Sequence, residues 1–231
     1  MLLEDCSWES VEQRLVRDRR IVLVLGATEQ HSDLSVAADT RIPYVIARRA
    51  CELEDALLAP PLPFGISAWS MAYPGTISLR TSTLAAVVED IVRSLATAGF
   101  RQFFVLNGHG FNRAVAPVFG EAIGPFAGSS VKFHQWWELD DVRAIAGQLQ
   151  VPFGHATWAE AFPFTVLGER RRAQPTSRTA PNLLQPPEAI RTEMGAGHGP
   201  GPLHLGAGVE CRLIDAAIAS FRKILAAPCS S

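Results

Sequence analysis

Four side chains that can bind a divalent metal ion lie within one short stretch, GATEQHSDLSVAADT, at residues 26–40. They are Glu29, His31, Asp33 and Asp39. A further imidazole, that of His109, lies between two glycines in the stretch NGHG. Carboxylate and imidazole groups are ligands that zinc and similar metals take, and two-metal sites are common in hydrolases. The residue types therefore predict a metal site built from Glu29, His31, Asp39 and His109.

Each half of this predicted site follows an apolar run that is typical of a buried strand. IVLVLG (21–26) precedes the first half, and QFFVLN (102–107) precedes His109. Continuous apolar runs of this length are characteristic of parallel strands that are buried on both faces. Ligands bind beyond the carboxyl ends of such strands. We therefore expect both halves of the site to lie at the same edge of one sheet.

Helical patterns separate the predicted strands. The clearest covers residues 81–98, where apolar residues recur at steps of three and four. Thr81 or Thr83 is expected to cap its start, and Gly99 to end it. The remaining elements are predicted as helices over 43–52 (with Pro43 in the first turn), 112–123, 139–149 and 209–226, and a strand over 130–137. This alternation predicts an α/β fold with a mostly parallel sheet covered by helices on both faces.

The length of 231 residues fits one large domain, and we interpret residues 1–231 as a single unit. A proline-rich, weakly periodic excursion interrupts it over about 169–206. This segment either covers the site, meets a neighbouring subunit, or is disordered.

Composition and charge argue against several classes of function. The net charge of -2 predicts no nucleic-acid partner, which would call for a basic surface. The acidic N-terminus does not resemble a signal peptide, and no apolar run approaches the ~20 residues that span a bilayer. The four cysteines are scattered, which favours reduced thiols. We therefore expect a soluble cytoplasmic protein without a membrane partner. No GxGxxG follows the first strand, which argues against a nucleotide-binding fold.

Several motifs together resemble the creatininase family. They are GATEQH (26–31), the downstream DT (39–40), PPLPFGIS (60–67), YPGTISL (73–79) and NGHGFN (107–112). The resemblance implies a three-layer α/β sandwich, a centre of two divalent ions (zinc, manganese or iron) and assembly into a homo-oligomer, often a hexamer. It also places Glu29, His31, Asp39 and His109 on metal-ligand positions, with Asp39 as the bridge. In HATWAEAF (155–162), it implies that His155 is catalytic and that Glu160 is a metal ligand, with a catalytic role for Glu160 as the alternative to His155.

The sequence also departs from the family pattern. EQHSDLSV stands where the family usually has EQHGPHLP, so a second histidine is missing and Asp33 either replaces it or is solvated. Phe111 stands where creatininase itself carries a ligand carboxylate, and Trp158 where many members carry a polar residue. Creatinine is therefore not the expected substrate. Aromatic side chains often line pockets. The residues expected to contact the substrate are Trp69, Trp136, Trp158 and Asp33, with Trp136 and its neighbour Trp137 on opposite faces of a strand.

Three functions remain open from the sequence. The first is hydrolysis of a small cyclic substrate, in which a metal-activated hydroxide attacks a ring carbonyl and cleaves an amide C–N bond. The second is hydrolytic C–C opening of an oxidised inositol-type ring, because HATWAEAFPF resembles a subgroup with that activity. The third is binding of a small ligand without catalysis.

Overall fold

The computed structural model of the protein describes residues 1–168 and 182–227. The helices are α1 (Trp8–Leu15), α2 (Ala38–Glu54), α3 (Thr81–Ala98), α4 (Ala116–Ile123), α5 (Asp140–Leu149), α6 (Pro187–Met194) and α7 (Ala207–Ala226). The strands are β1 (Arg20–Leu25), β2 (Leu57–Leu58), β3 (Gln102–Asn107) and β4 (Ser130–Gln135). Short 3-10 turns lie between them, including Ala68–Ser70, Gly110–Val115, Trp136–Glu138 and Trp158–Glu160.

Within the described residues, the strands form one four-stranded parallel sheet in the order β2-β1-β3-β4. Alternate residues of each central strand point to opposite faces of the sheet, and helices cover both faces. Val22 and Val24 of β1 pack against α2 and α7, whereas Ile21 and Leu23 pack against α3 and α4. The predicted α/β fold with helices on both faces is confirmed.

The central pair of strands sets the position of the site. β1 and β3 are neighbours, and Leu25 at the end of β1 is paired with Asn107 at the end of β3. The loops that follow these two residues therefore leave the sheet at the same edge, as the sequence predicts.

Helix α2 begins five residues before the predicted start, at Ala38. Pro43 consequently lies inside the helix rather than in its first turn. Proline lacks an N–H and cannot donate to the carbonyl of residue 39, but Ala38, Ile42 and Pro43 are all buried against the sheet. Packing thus outweighs the lost hydrogen bond, and Asp39 lies in the first helical turn.

Other predicted boundaries change in smaller ways. Gly99 ends α3 in the left-handed region (φ 117°), which confirms that prediction, but Arg80 holds the N-cap position and its side chain makes no capping hydrogen bond. Strand β4 stops at Gln135, and Trp136 begins a 3-10 turn. The helix predicted over 112–123 is a 3-10 turn followed by α4.

The predicted excursion over 169–206 falls partly on residues 169–181, which lie outside the described residues. Its remainder contains α6, which packs against the turn Ala68–Ser70. None of the described helices has the length and apolar character needed to cross a bilayer.

Gly108 lets β3 approach α2 closely, and this contact can be tested. A Cβ at Gly108 would collide with the backbone oxygen of Asp39 and lie 2.7 Å from Pro43 Cγ, whereas one at Gly110 would meet no described atom within 4 Å. We expect Gly108→Ala to cost about 1–3 kcal/mol, as overpacking does. In thermal unfolding, each kcal/mol lowers the Tm of a domain of this size by about 2–4 °C. Gly110→Ala is the matched control, and equal Tm values for the two variants would contradict the packing argument.

Candidate metal centre

The loop after β1 carries the first two site residues. Gly26 starts this loop, and a Cβ there would collide with Thr40 of α2, so that the loop turns tightly over the helix. Glu29 and His31 are both buried. Ser32, which follows His31, has a φ of 55°. Such values are uncommon outside glycine and concentrate at functional sites.

The loop after β3 supplies His109 from the neighbouring strand. Asn107 fixes this loop: its side-chain Nδ2 donates to the backbone oxygen of His109 (2.6 Å), and its Oδ1 accepts from the backbone N–H of His109 (3.3 Å). Asn112 ties the same loop to the start of the loop after β1 by donating to the backbone oxygen of Gly26 (2.9 Å). Side-chain amides thus replace the backbone ladder where the sheet ends.

Asp39 is the centre of the cluster. Its Oδ1 lies 3.0 Å from His31 Nε2, and its Oδ2 lies 2.9 Å from His109 Nδ1. Glu29 Oε1 is 3.4 Å from His109 Nδ1. One carboxylate therefore faces two imidazoles with its two oxygens, so Asp39 would be available to two ions if both were bound.

A third segment of the chain, residues 155–160, closes the cluster. Glu160 Oε2 lies 3.7 Å from His31 Nε2 and accepts a hydrogen bond from the backbone N–H of Ala156 (2.6 Å). Ala156 follows His155 and has a φ of 55°, like the residue after His31. His155 Nδ1 lies 3.8 Å from Glu29 Oε1.

Backbone carbonyls orient all three imidazoles in the same way. The ring nitrogens that face a carbonyl oxygen are His31 Nδ1 (Glu29 O, 3.1 Å), His109 Nε2 (Ile66 O, 2.8 Å) and His155 Nε2 (Gln30 O, 2.8 Å). A carbonyl oxygen can only accept a hydrogen bond, and the ring nitrogen that faces it therefore carries a proton. When the ring is neutral, its second nitrogen presents a lone pair to the carboxylates. Metal-binding histidines are held in this manner.

The charges within the cluster shift several pKa values. Burial alone would lower the pKa of His31, but Asp39 and Glu160 outweigh it and raise the pKa to about 10. Burial likewise opposes a charge on His109, and Glu29 and Asp39 raise its pKa well above the usual value. Burial would raise the pKa of Asp39, but the two imidazoles hold it far below its usual range. Without an ion, the buried carboxylates therefore use protonated imidazoles as counter-charges.

The pKa values of His155 and Glu160 are shifted in opposite directions. Burial lowers the pKa of His155 to about 4, helped by the charge of His31, so its imidazole is neutral at pH 7. Burial raises the pKa of Glu160 to about 7, with Asp39 and Glu29 adding to the effect and His31 opposing it. Glu160 therefore has a pKa near the working pH, where a group exchanges protons most effectively, whereas His155 is held in the neutral form that can accept a proton.

The donor atoms fit divalent ions. Among the described residues, three groups of ligand atoms lie within 4.8 Å of one another: Glu29, Asp39 and His109; His31, Asp39 and Glu160; and Glu29, His31 and His155. Glu29 Oε2 is buried and has no hydrogen-bond partner in the part of the chain that the structure describes. An unpaired buried carboxylate oxygen is costly, and a cation beside it would remove that cost.

A cavity of about 330 Å³ opens onto this cluster. Its polar wall is formed by Glu29, Asp39, His109, His155 and Glu160. The rest of its lining is mainly apolar, and includes Trp69, Phe111, Trp137, Phe153, Leu183 and Met194. Leu183 and Met194 come from the described part of the excursion, which therefore covers the site.

Comparisons with known proteins show the family to which this chain belongs. The family profile described as "Creatininase: Creatinine amidohydrolase" matches residues 4–192, most of the chain. The chain belongs to the creatininase family.

Two curated relatives share a segment with this creatininase-family chain. The creatinine amidohydrolase of Pseudomonas putida is 33% identical over 112 residues, which is 46% of this chain and 43% of that protein. The mycofactocin precursor peptide peptidase of Mycolicibacterium smegmatis (strain ATCC 700084 / mc(2)155) is 35% identical over 99 residues, or 40% of each. The matched segment thus spans less than half the length of these curated relatives.

Solved creatininase structures share the whole fold. The structure of a mutant creatininase described as Type II superposes with a TM-score of 0.80 at 22% identity, covering 97% of this chain and 96% of that one. Another, titled "Creatininase Mn", gives a TM-score of 0.73 at 21% identity and the same coverage.

The structure corrects two of the residues expected to contact the substrate. Trp136 and Trp158 are fully buried in the core between the sheet, α2 and α7, and they are not part of the described cavity lining. Because β4 ends before Trp136, the strand alternation no longer applies, and it is Trp137 that faces the cavity. Trp69 lines the cavity as expected. Its ring lies edge-on to that of His155, with the two ring centroids 5.2 Å apart.

Asp33 lies outside both the metal cluster and the cavity lining, as far as the described residues define them. Its Oδ1 is 3.7 Å from Nε2 of His198, and His198 Nδ1 is 3.4 Å from Ser32 Oγ. A histidine from the excursion is thus buried beside Ser32 and Asp33. Asp33 contacts that histidine rather than the cavity.

Sequence reasoning missed Gln30, which connects three parts of the site. Its side chain accepts from the backbone N–H of Ser32 (3.1 Å) and donates to the backbone oxygen of Gly197 (3.1 Å), and its backbone oxygen accepts from His155 Nε2 (2.8 Å). Two residues after Gly197, the backbone N–H of Gly199 donates to the backbone oxygen of His155 (2.8 Å). The sequence feature that could have identified Gln30 is its position between Glu29 and His31 in the EQH motif.

We expect Gln30→Ala to loosen the segment that covers the cavity. Losing the hydrogen bond to Gly197 costs about 1–1.5 kcal/mol, so the backbone N–H of Gly199 should exchange its hydrogen roughly fivefold to tenfold faster. Hydrogen–deuterium exchange on peptides covering 195–200 measures this. Gln13→Ala, on an exposed position of α1, is the control. Unchanged exchange in Gln30→Ala would show that Gln30 does not hold the segment.

Proposed function

We propose that this protein is a divalent-metal-dependent hydrolase that cleaves the amide C–N bond of a small substrate, with a ring carbonyl as the favoured point of attack. The observation that carries the proposal is the sharing of Asp39 between two buried groups of ligand atoms. Enzymes with two adjacent divalent ions use them to activate water and to polarise a carbonyl oxygen. The similarity to a creatinine amidohydrolase supports this reaction class.

Two ions are proposed to occupy the two groups that share Asp39. Glu29 and His109 complete one group, and His31 and Glu160 complete the other. Zinc, manganese and iron all accept such nitrogen and oxygen ligands. Glu160 thereby supplies the carboxylate that Phe111 cannot.

His155 is proposed to move the proton. It is neutral at pH 7, because its pKa is lowered to about 4, and its Nδ1 faces the cluster. Nδ1 can therefore accept the proton of the attacking water and deliver it to the leaving nitrogen, which is general base and then general acid catalysis. Gln30 O holds the ring in the required tautomer by accepting from Nε2.

A linear peptide amide is the second candidate substrate, because the mycofactocin precursor peptide peptidase relative is 35% identical in the matched segment. Assembly into a homo-oligomer remains a prediction from the family resemblance.

Metal content per chain tests the centre. We expect two ions in the wild type, one in Glu160→Ala and none in Asp39→Ala, because Asp39 is shared. Elemental analysis of protein purified without added metal measures this. Glu121→Ala, on the exposed side of α4, should keep both ions. One ion or none in the wild type would instead favour a ligand-binding protein without catalysis.

Turnover tests the role of His155. His155→Ala should keep its bound ions but lower kcat for amide hydrolysis by about 10²–10⁴, as the loss of a general acid–base group does. His204→Ala, a largely exposed histidine paired with Glu210, should leave kcat unchanged. Assays on a cyclic amide and a dipeptide amide separate the two substrate classes. Full activity in His155→Ala would remove the proton-transfer role.

A further inference from the structure

The cavity is divided into a polar wall and an apolar wall. The polar wall contains the proposed metal ligands and His155. On the other side, the lining is hydrocarbon and aromatic. It comes from five parts of the chain: the loop around Trp69, the loop after β3, the turn after β4, the loop before His155, and the described part of the excursion. A substrate whose carbonyl reaches the polar wall must place its remaining atoms against the apolar one.

Phe111 is the apolar lining residue that lies nearest along the chain to His109 of the proposed reaction centre. It lies two residues after His109 in the turn Gly110–Val115, and its ring centroid is 6.0 Å from that of His109 at an angle of 33°. Its side chain is 36% exposed, although it lines the cavity. A large aromatic ring that lines a cavity and remains accessible offers a surface on which a ligand can pack.

The described part of the excursion, residues 182–206, is the covering segment of the cavity, and it presents apolar groups as well. Met194 of α6 and Leu183 pack with Trp69 and Ile190 in a small apolar cluster of their own. Trp69, Met194 and Leu183 also line the cavity. A group inserted here would be enclosed by apolar atoms from the covering segment and from the loop after β3.

We propose that this protein selects amides that carry an apolar ring or branched alkyl group close to the hydrolysed carbonyl, and that Phe111 is the specificity-determining residue for that group. The proposal rests on the proposed function, since the metal centre fixes where the carbonyl lies. The cavity of about 330 Å³ can hold one ring-sized group beside the centre, in the size range of small-ligand sites. Phe111 presents an aromatic ring to the cavity, so this wall recognises hydrocarbon rather than a polar group.

Two hydroxamates of different size separate this preference from metal binding itself. Acetohydroxamate carries only the metal-binding group, and 3-phenylpropionohydroxamate adds an apolar ring. Their dissociation constants for the zinc-loaded protein can be measured by quenching of intrinsic tryptophan fluorescence, which does not depend on turnover. We expect the phenyl compound to bind on the order of tenfold to a hundredfold more tightly, from the apolar area that it would bury.

Variants assign the preference to Phe111. Phe111→Ala should reduce the ratio of the two dissociation constants about fivefold or more while leaving the value for acetohydroxamate unchanged, and Phe111→Leu should restore part of the ratio. Phe64→Ala is the matched control, because Phe64 is 38% exposed and is not part of the described cavity lining. It should behave as the wild type.

The outcomes distinguish the two proposals. If both hydroxamates bind equally to the wild type, or if Phe111→Ala keeps the full ratio, the specificity role is overturned and the metal centre stands. If neither compound binds and elemental analysis finds no ion, the proposed function fails and the specificity proposal fails with it.

Discussion

The structure around this site depends on the burial of three carboxylates beside three imidazoles at the end of a parallel sheet. Removing a carboxylate from water is expensive unless a positive partner lies close by. Asp39 meets that condition with both oxygens, one facing His31 and the other His109. Glu29 meets it only in part, because its Oε2 has no hydrogen-bond partner among the described residues. The cluster is therefore satisfied by protons on its histidines or by cations, and its unpaired oxygen favours cations.

The fold supplies this arrangement through close backbone approaches rather than through long side chains. Adjacent parallel strands β1 and β3 end in register, which places their following loops side by side. Gly108 allows the second loop to lie directly on the first turn of α2, where Asp39 is. Backbone carbonyls then turn each imidazole so that one nitrogen faces the carboxylates. These contacts are made by the main chain, so they orient the imidazoles without help from other side chains.

The covering segment forms part of the apolar side of the cavity. Gln30 joins it to the metal loop through Gly197, and His198 is buried beside Ser32 and Asp33. This side of the cavity is apolar, and Phe111 extends the apolar surface to the turn after His109. A centre suited to water and carbonyl chemistry thus faces a surface suited to hydrocarbon.

By itself, the sequence determined the α/β class, the strand that precedes each half of the site, and the candidate ligand residues Glu29, His31, Asp39 and His109. These features follow from hydrophobic periodicity and from residue type, which are local properties. Only the tertiary structure decided that α2 starts at Ala38, that Trp137 rather than Trp136 faces the cavity, and that Gln30 connects His155 to the covering segment. Each of these depends on packing between segments that are far apart in the chain. Such packing can override local preferences, as Pro43 inside α2 shows, and for that reason it is absent from any short stretch of the sequence.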